Sequence, residues 1–550
     1  MKSATAALAA FCALTGAVSA APAPAPAAAV LDERTLIHSG YAPVQVSCPA
    51  TALNRPATSL NPSEAAYISA RQTKANAALA AWIKGVNSAF DTSKLPVVGF
   101  TASGGGYRAF LNAAGVIQGL DSRDSHQSTS GIFQGLTYFG GLSGGAWLLS
   151  SLAGNNWPTV SNLRDTLWAD SLSHSLFLPG DLLFAIDDSL IINDLVAKSE
   201  AGFAPTIVDP WGRLLSYQLL KGFNGGVAQR LSGLTSLSNF TASNAPFPIL
   251  TSLGIETWAG ECSGHINSTQ YEFTPYEFGS WDAGVNAFTQ SAYLGTSMAN
   301  NAPSSSKCVS NFDNFGFVFA TSSDYFGNIC GDIFPDSSST PGQLVQLLED
   351  IVEPLTAETY ATYPNPFYQS SGSPLVAGQS QLHLTDGGIG GQNNPIWPFL
   401  QPERSATVLI VSDNSADTST DFPDGTELYN TYMRAQQVGL TKMPKIPPSS
   451  TIVAEGLNTR ATFFGCNETQ ALTIVWLPNV AYSYASNTST TQLEYTTAQT
   501  DGIIANGNQI ASQNGDSQWS TCLACAMQKK TGTTLPATCT ACFQKYCFSS

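Results

Sequence analysis

Three short stretches carry the residue types that acyl transfer requires. Gly141-Leu142-Ser143-Gly144-Gly145 fits G-x-S-x-G, the nucleophile elbow. Such an elbow holds its serine in a strained turn between strand and helix. Small neighbours let the chain reverse and let a substrate approach the hydroxyl. The helix that follows turns free N–H groups and its positive end toward a developing oxyanion. Ser103-Gly104-Gly105-Gly106-Tyr107-Arg108 comes earlier. Its glycines can offer successive backbone N–H groups to an anion, and Arg108 can pair with a phosphate. Thr385-Asp386-Gly387-Gly388-Ile389 comes late. A carboxylate beside glycines can approach another loop closely and act as general base. Each stretch alone is also compatible with an ordinary turn.

Other chemistries fit less well. There is no G-x-G-x-x-G and no Gly-Lys-Ser/Thr at the glycine run, so a dinucleotide or nucleotide site is not indicated. No H-E-x-x-H is present, and neither a metal nor another cofactor is expected. For a Ser-His-Asp triad the best histidine is His383, but it lies three residues before Asp386. In a strand that spacing sends the two side chains to opposite faces.

The elements around these stretches must be able to hold them. Val97–Phe100 reads as a short buried strand before the glycine run, with a helical pattern from Tyr107. Residues 136–140 read as a second strand, and Ala146–Leu152 as the helix after the serine. Leu382–Leu384 and Thr407–Val411 read as further strands. Ser63–Phe90 has the periodicity of an amphipathic helix within an N-terminal wrap. Strands alternating with helices indicate an α/β sheet. The middle, about 155–375, is rich in Gly, Asn, Ser, Phe and Tyr, and is expected to form a lid or cap. No internal repeat is evident.

Composition sets the outer bounds. The 550 residues are 43% hydrophobic and only 11% charged, with a formal net charge of −16. The chain can bury a core. Its acidity argues against a nucleic-acid partner, which needs clustered Lys and Arg.

Lys2, the apolar run Ala6–Val18 and Val18-Ser19-Ala20 form a secretory-signal pattern, so residues 1–20 are expected to be cleaved. Residues 21–40 read as a Pro/Ala-rich pro-segment or linker, 41–510 as the catalytic domain and 511–550 as a Cys-rich tail. Cleavage removes Cys12 and leaves Cys48, Cys262, Cys308, Cys330, Cys466, Cys522, Cys525, Cys539, Cys542 and Cys547. Export favours five disulfides, although paired Cys-x-x-Cys is also a zinc pattern. Five of the ten lie in the tail, so if all pair within the chain, one bridge must tie the tail to the body. Asn239, Asn267, Asn467 and Asn487 head four glycosylation sequons. No other apolar run reaches membrane-spanning length, and the tail lacks the hydrophobic end of a lipid anchor. A soluble, extracellular product is expected.

Taken in order, Gly104-Gly105-Gly106-Tyr107-Arg108-Ala109, Gly141-Leu142-Ser143-Gly144-Gly145 and Asp386-Gly387-Gly388 resemble the secreted fungal lysophospholipase (phospholipase B) family. That family's catalytic domain is similar to that of animal cytosolic phospholipases A. Asn286-Ala-Phe-Thr289, Tyr293-Leu294-Gly295, Cys308, Gly316-Phe317 and Thr321-Ser322-Ser323 extend the resemblance, which spans about residues 45–510. It implies a three-layer α/β core of the patatin-like, cytosolic-phospholipase-like kind. Such a core has a central mixed sheet, large helical and loop insertions and, here, disulfides. It also implies a Ser143 nucleophile with Asp386 as base and no histidine, an oxyanion hole at Gly105 and Gly106, and Arg108 facing phosphate. The substrate would be lysophospholipid or phospholipid in micelles or at a membrane surface, with no protein partner implied. Family members are often membrane-anchored, and this chain shows no anchor. The rival readings are a secreted lipase or esterase of the same dyad without phosphate preference, and a non-catalytic secreted glycoprotein.

Overall fold

The computed structural model describes residues 40–173, 182–328 and 358–549. Its centre is a mixed sheet, twelve-stranded among the described residues. The strands are β1 (Asn54–Pro56), β2 (Val98–Ala102), β3 (Tyr138–Gly141), β4 (Phe247–Ile255), β5 (Gln270–Phe273) and β6 (Glu277–Ser280). They continue with β7 (Ala287–Gln290), β8 (Ala361–Pro364), β9 (Gln381–Asp386), β10 (Val408–Asp413), β11 (Thr462–Phe464) and β12 (Thr473–Pro478). Across the sheet the order is β11-β12-β10-β2-β3-β4-β5-β6-β7-β1, and β9 joins β4 with β8 outside it. Neighbours from β12 to β4 run parallel. The pairs from β4 to β1 run antiparallel.

The helices that bear on the site are α1 (Pro62–Val86), α2 (Gly106–Leu120), α3 (Gly144–Gly154), α4 (Val208–Leu219) and α5 (Phe315–Thr321). Four more follow: α6 (Thr426–Val438), α7 (Thr497–Ser512), α8 (Trp519–Gln528) and α9 (Thr538–Tyr546). Helices cover both faces of the parallel strands, so those strands read as unbroken apolar runs. In β10, Val408 and Ile410 enter one core, while Leu409 and Val411 enter the other. Val475 and Leu477 of β12 divide from Ile474 and Trp476 in the same way. The strand period of two thus assigns each residue to one of two layers. Helices α2 to α5 and α7 fill the larger core, and α6 belongs to the smaller.

The strands read near 97–100, 136–140, 382–384 and 407–411 are β2, β3, β9 and β10. The helices expected after the glycine run and after the serine are α2 and α3. The expected N-terminal helix is α1, begun by Asn61, whose side chain accepts from Ser63 N at 2.8 Å. The middle of the chain departs from expectation. It is not a cap alone, because β4 to β8 lie within it and supply the antiparallel half of the sheet. These strands hide their pattern by burying charge. Glu272 is buried against Arg404, and Glu277 against Arg55. Those partners lie far off in sequence, so the alternation reads as polar until the fold supplies them.

The described cysteines are disulfide-bonded. Cys522–Cys542 and Cys525–Cys539 staple α8 to α9. Cys466–Cys547 ties this hairpin to the body, as the odd count required. Cys48–Cys308 closes a short ribbon of residues 44–47 with 307–310. Cys262 is bonded as well, whereas Cys330 lies outside the described residues, as do Cys12 and the expected signal segment. Among the sequons, Asn267 and Asn467 are exposed. Asn239 and Asn487 are half-buried, and their Nδ2 atoms donate to Asn156 O and Thr420 O.

Candidate active site

β4 receives two strands in succession along one edge. Gly141, the last residue of β3, pairs with Leu250. Two residues further on, Ser252 pairs with Asp386, the last residue of β9. β3 arrives parallel and β9 antiparallel, so the two strands meet end to end. Their exits, and the side chains at those exits, fall at one place.

The chain leaves β3 and turns at once into α3. Ser143 makes that turn at φ +51° and ψ −123°, a conformation rarely adopted by a residue with a Cβ. Its amide donates to both O and Oγ of Ser322, each at 3.1 Å. Ser322 Oγ in turn donates to Thr251 O on β4 at 2.7 Å. The flanking glycines are needed for close approach. A Cβ on Gly145 would stand 2.1 Å from Ala102 O, and one on Gly144 2.1 Å from Gly106 O. The serine turn is therefore pressed against the glycine run that follows β2.

Ser143 Oγ donates to Asp386 Oδ2 at 2.8 Å. The other carboxylate oxygen, Oδ1, accepts from Gly388 N at 2.7 Å, which fixes the plane of the group. Both residues are buried. Burial pushes the Asp386 carboxyl up to about 6, against the opposing pull of the Gly388 and Ser143 hydrogen bonds. A carboxylate in this state can take a proton from a neighbouring hydroxyl more readily than an ordinary one.

Gly105 and Gly106 have φ of +131° and +57°, which glycine adopts without penalty. Among the described residues their amides, and that of Gly144, donate to no protein acceptor. Gly105 and Gly106 stand at the start of α2 and Gly144 at the start of α3, and Gly106 lines a pocket with the serine. That apolar pocket is lined by Ser143, Asp386 and Gly106 together with Trp147, Trp211, Phe326 and Leu493. Trp147 and Trp211 both donate their indole N–H to Ser323 Oγ, at 2.8 and 3.3 Å, which locks the ring orientations.

Arg108 lies behind this pocket rather than in its lining. It is fully buried. Nε donates to Asn414 O at 3.0 Å, one terminal nitrogen to Thr488 O at 2.6 Å, and the other to Thr490 Oγ1 at 3.0 Å. Thr490 lines the pocket, so Arg108 supports the wall from the far side. His383 is turned away. Its Nδ1 is 2.6 Å from Thr257 Oγ1 and its ring stacks on Tyr360, on the face of β9 opposite to Asp386.

Sequence reasoning passed over the segment 488–493 and the pegs Ser322 and Ser323 as parts of the site. Ser322 and Ser323 carried a signal, since they stand in the stretch that extended the resemblance. The 488–493 segment carried none beyond the Asn487 sequon beside it. The described residues hold no cluster of metal-ligating side chains and no helix long and apolar enough to cross a membrane.

The fold is that of the cytosolic phospholipase A2 catalytic domain. Human GIVD cytosolic phospholipase A2 matches with a TM-score of 0.68 at 18% identity, over 89% of this chain and 72% of that one. The same enzyme in complex with methyl gamma-linolenyl fluorophosphonate matches at 0.64. Residues 98–550 match the lysophospholipase catalytic domain family. Lysophospholipase 1 of Aspergillus fumigatus is 37% identical over the whole chain and 93% of its own length. Probable lysophospholipase 3 of Schizosaccharomyces pombe is 34% identical over 94% of this chain and 84% of its own. The chain belongs to the fungal lysophospholipase (phospholipase B) family and is an ester hydrolase of lipid metabolism.

Proposed function

We propose that this protein is a secreted serine acyl hydrolase that releases fatty acids from lysophospholipids and phospholipids through an acyl-enzyme. The observation that carries this reading is the 2.8 Å hydrogen bond from Ser143 Oγ to Asp386 Oδ2 in the lining of an apolar pocket. Ser143 Oγ attacks the acyl carbonyl carbon and gives its proton to Asp386. The carbonyl oxygen takes up the negative charge, which Gly105 N, Gly106 N and the start of α3 stabilise. The ester bond to glycerol breaks, and Asp386 returns the proton to the leaving alkoxide. Water then attacks the acyl-enzyme while Asp386 takes its proton. The fatty acid departs and Ser143 recovers its hydrogen. The apolar walls favour the acyl chain by roughly 0.8 kcal/mol per buried CH₂.

Arg108 contributes positive charge behind the pocket wall at Thr490 and draws the phosphate toward it. The signal pattern, the sequons and the disulfides support an extracellular glycoprotein. A substrate panel on the secreted protein, read by released fatty acid, tests the whole reading. Lysophospholipid should be cleaved well and Ser143→Ala should be inert; a Ser143→Ala variant with normal turnover overturns it.

A second reading has one observation in its favour. The three nitrogens of Arg108 already have acceptors within the protein. An esterase of the same dyad without phosphate preference would fit this. Equal kcat/KM for a lysophospholipid and a matched neutral monoacyl ester would decide for it.

A further inference from the structure

Asn393 lies between the turns that carry the oxyanion glycines and Asp386. Its carbonyl accepts from Gly104 N at 3.1 Å. Its Nδ2 donates to Gly104 O at 3.2 Å and to Ser415 Oγ at 2.9 Å. Its Oδ1 fills the gap on both sides. A Cβ on Gly104 would stand 2.2 Å from that oxygen, and one on Gly388 2.5 Å. One side chain thus touches the turn before Gly105 and the turn after Asp386.

Asn393 is itself held from a third element. Its backbone N–H donates to Glu427 Oε2 at 2.8 Å, in the first turn of α6. Ser415, on the other side, donates its hydroxyl to Asp413 Oδ1 at 2.7 Å. Asp413 ends β10 and also accepts from Trp476 Nε1 at 2.9 Å. Glu427 pairs with no cation among the described residues. Burial pushes its carboxyl up to about 7, and Asp413, Asp424 and Asp386 add to the rise. A buried carboxylate is costly unless it is hydrogen-bonded, and the Asn393 N–H supplies such a bond and opposes the rise.

We infer that Glu427 and Asn393 form a clamp of positioning residues that sets the distance between the oxyanion glycines and the Ser143–Asp386 pair. The inference rests on the proposed roles of those groups. Neither clamp residue touches the acyl group. They act by keeping Gly104, and so the amides of Gly105 and Gly106, at fixed reach from Ser143 Oγ. A shift of about 1 Å between such groups can cost on the order of 100-fold in rate.

The test measures kcat and KM for lysophospholipid hydrolysis, with the melting temperature of each variant. Glu427→Ala should lower kcat by roughly 10- to 100-fold and leave KM within about twofold. Glu427→Gln keeps an oxygen acceptor for Asn393 N–H and should recover most of the loss. Asn393→Asp keeps the shape but loses both Nδ2 donations, and should lower kcat without a matching fall in melting temperature. A Glu427→Ala enzyme with wild-type kcat overturns the clamp, as does Gln failing to outperform Ala. An Asn393→Asp enzyme with wild-type kcat overturns it independently. A Ser143→Ala enzyme with full activity would instead remove the reading of the site, and labelling of wild-type Ser143 by a fluorophosphonate separates the two failures.

Discussion

The turns around Ser143 are buried throughout, whereas the α8–α9 hairpin buries its cysteines and leaves much of α9 exposed, and different forces hold the two. No cysteine enters the serine region. Glycine contacts, a peg at Ser322 and a carboxylate aligned by Gly388 hold it in place. The hairpin is short and has two bridges inside it and a third to the body. The reason for the contrast is what each region must leave free. A covalent staple limits the unfolded chain but places no polar atom. A site must hold an oxygen within hydrogen-bond reach and keep neighbouring amides without partners, which only packing and hydrogen bonds can arrange. The serine region is therefore expected to govern rate at a cost in stability, and the hairpin to supply stability without touching rate.

The largest effect expected is at the pair itself. Ser143→Ala and Asp386→Asn should each lower kcat by about 1,000-fold or more, with secretion intact. A single substitution should cost nearly as much as both, and additive losses would break the dyad. The glycine contacts come next. Gly144→Ala places a methyl against Gly106 O and should lower kcat by roughly 100-fold. Near-normal turnover in that variant would show that the two turns can separate freely.

The hairpin provides the opposite case. Replacing Cys466 and Cys547 together by serine opens a loop with a sequence separation of 81 and should lower stability by about 2–4 kcal/mol. Thermal unfolding would measure this, and kcat should stay within about twofold. A large fall in kcat below the melting transition would end the division of labour.

The smallest effect is a slope with pH. In the proposed mechanism Asp386 acts as a base only when ionised, so kcat/KM should fall about tenfold per pH unit as pH drops below about 6. The sign for stability is reversed. Its carboxyl sits above the usual 3.8 in the folded state, so the folded protein binds this proton more tightly than the unfolded chain. That contribution is complete below about pH 4 and lost as pH rises through about 6. Asp386→Asn should consequently raise the melting temperature above pH 6 while removing activity.

Much of the site was legible because its signals are local. A glycine on each side of Ser143 reports a tight approach whatever it approaches, and a strand before a glycine run reports where that run will sit. The strands β2, β3 and β10 were legible for the same reason, since short runs dominated by apolar residues and glycine report burial on both faces, and β9 was legible by its alternation of Leu382 and Leu384 with His383. The antiparallel half was not legible. Glu272 and Glu277 look like surface residues until Arg404 and Arg55 arrive from elsewhere. Arg108 was legible as a charge beside glycines. Its direction was not, because Thr488 and Thr490 lie some 380 residues away.

By itself, then, the sequence determined the turns, the strands that carry them and the parity that ties the tail to the body. These follow from sterics and counting among near neighbours. The tertiary structure decided how Asp386, already named beside Ser143, is carried to it across a separation of 243 residues. It also decided which cysteines join, and that Arg108 faces a carbonyl-lined wall. The physical reason is register. β3 and β9 share one edge of β4, and the two-residue step from Leu250 to Ser252 brings their ends together.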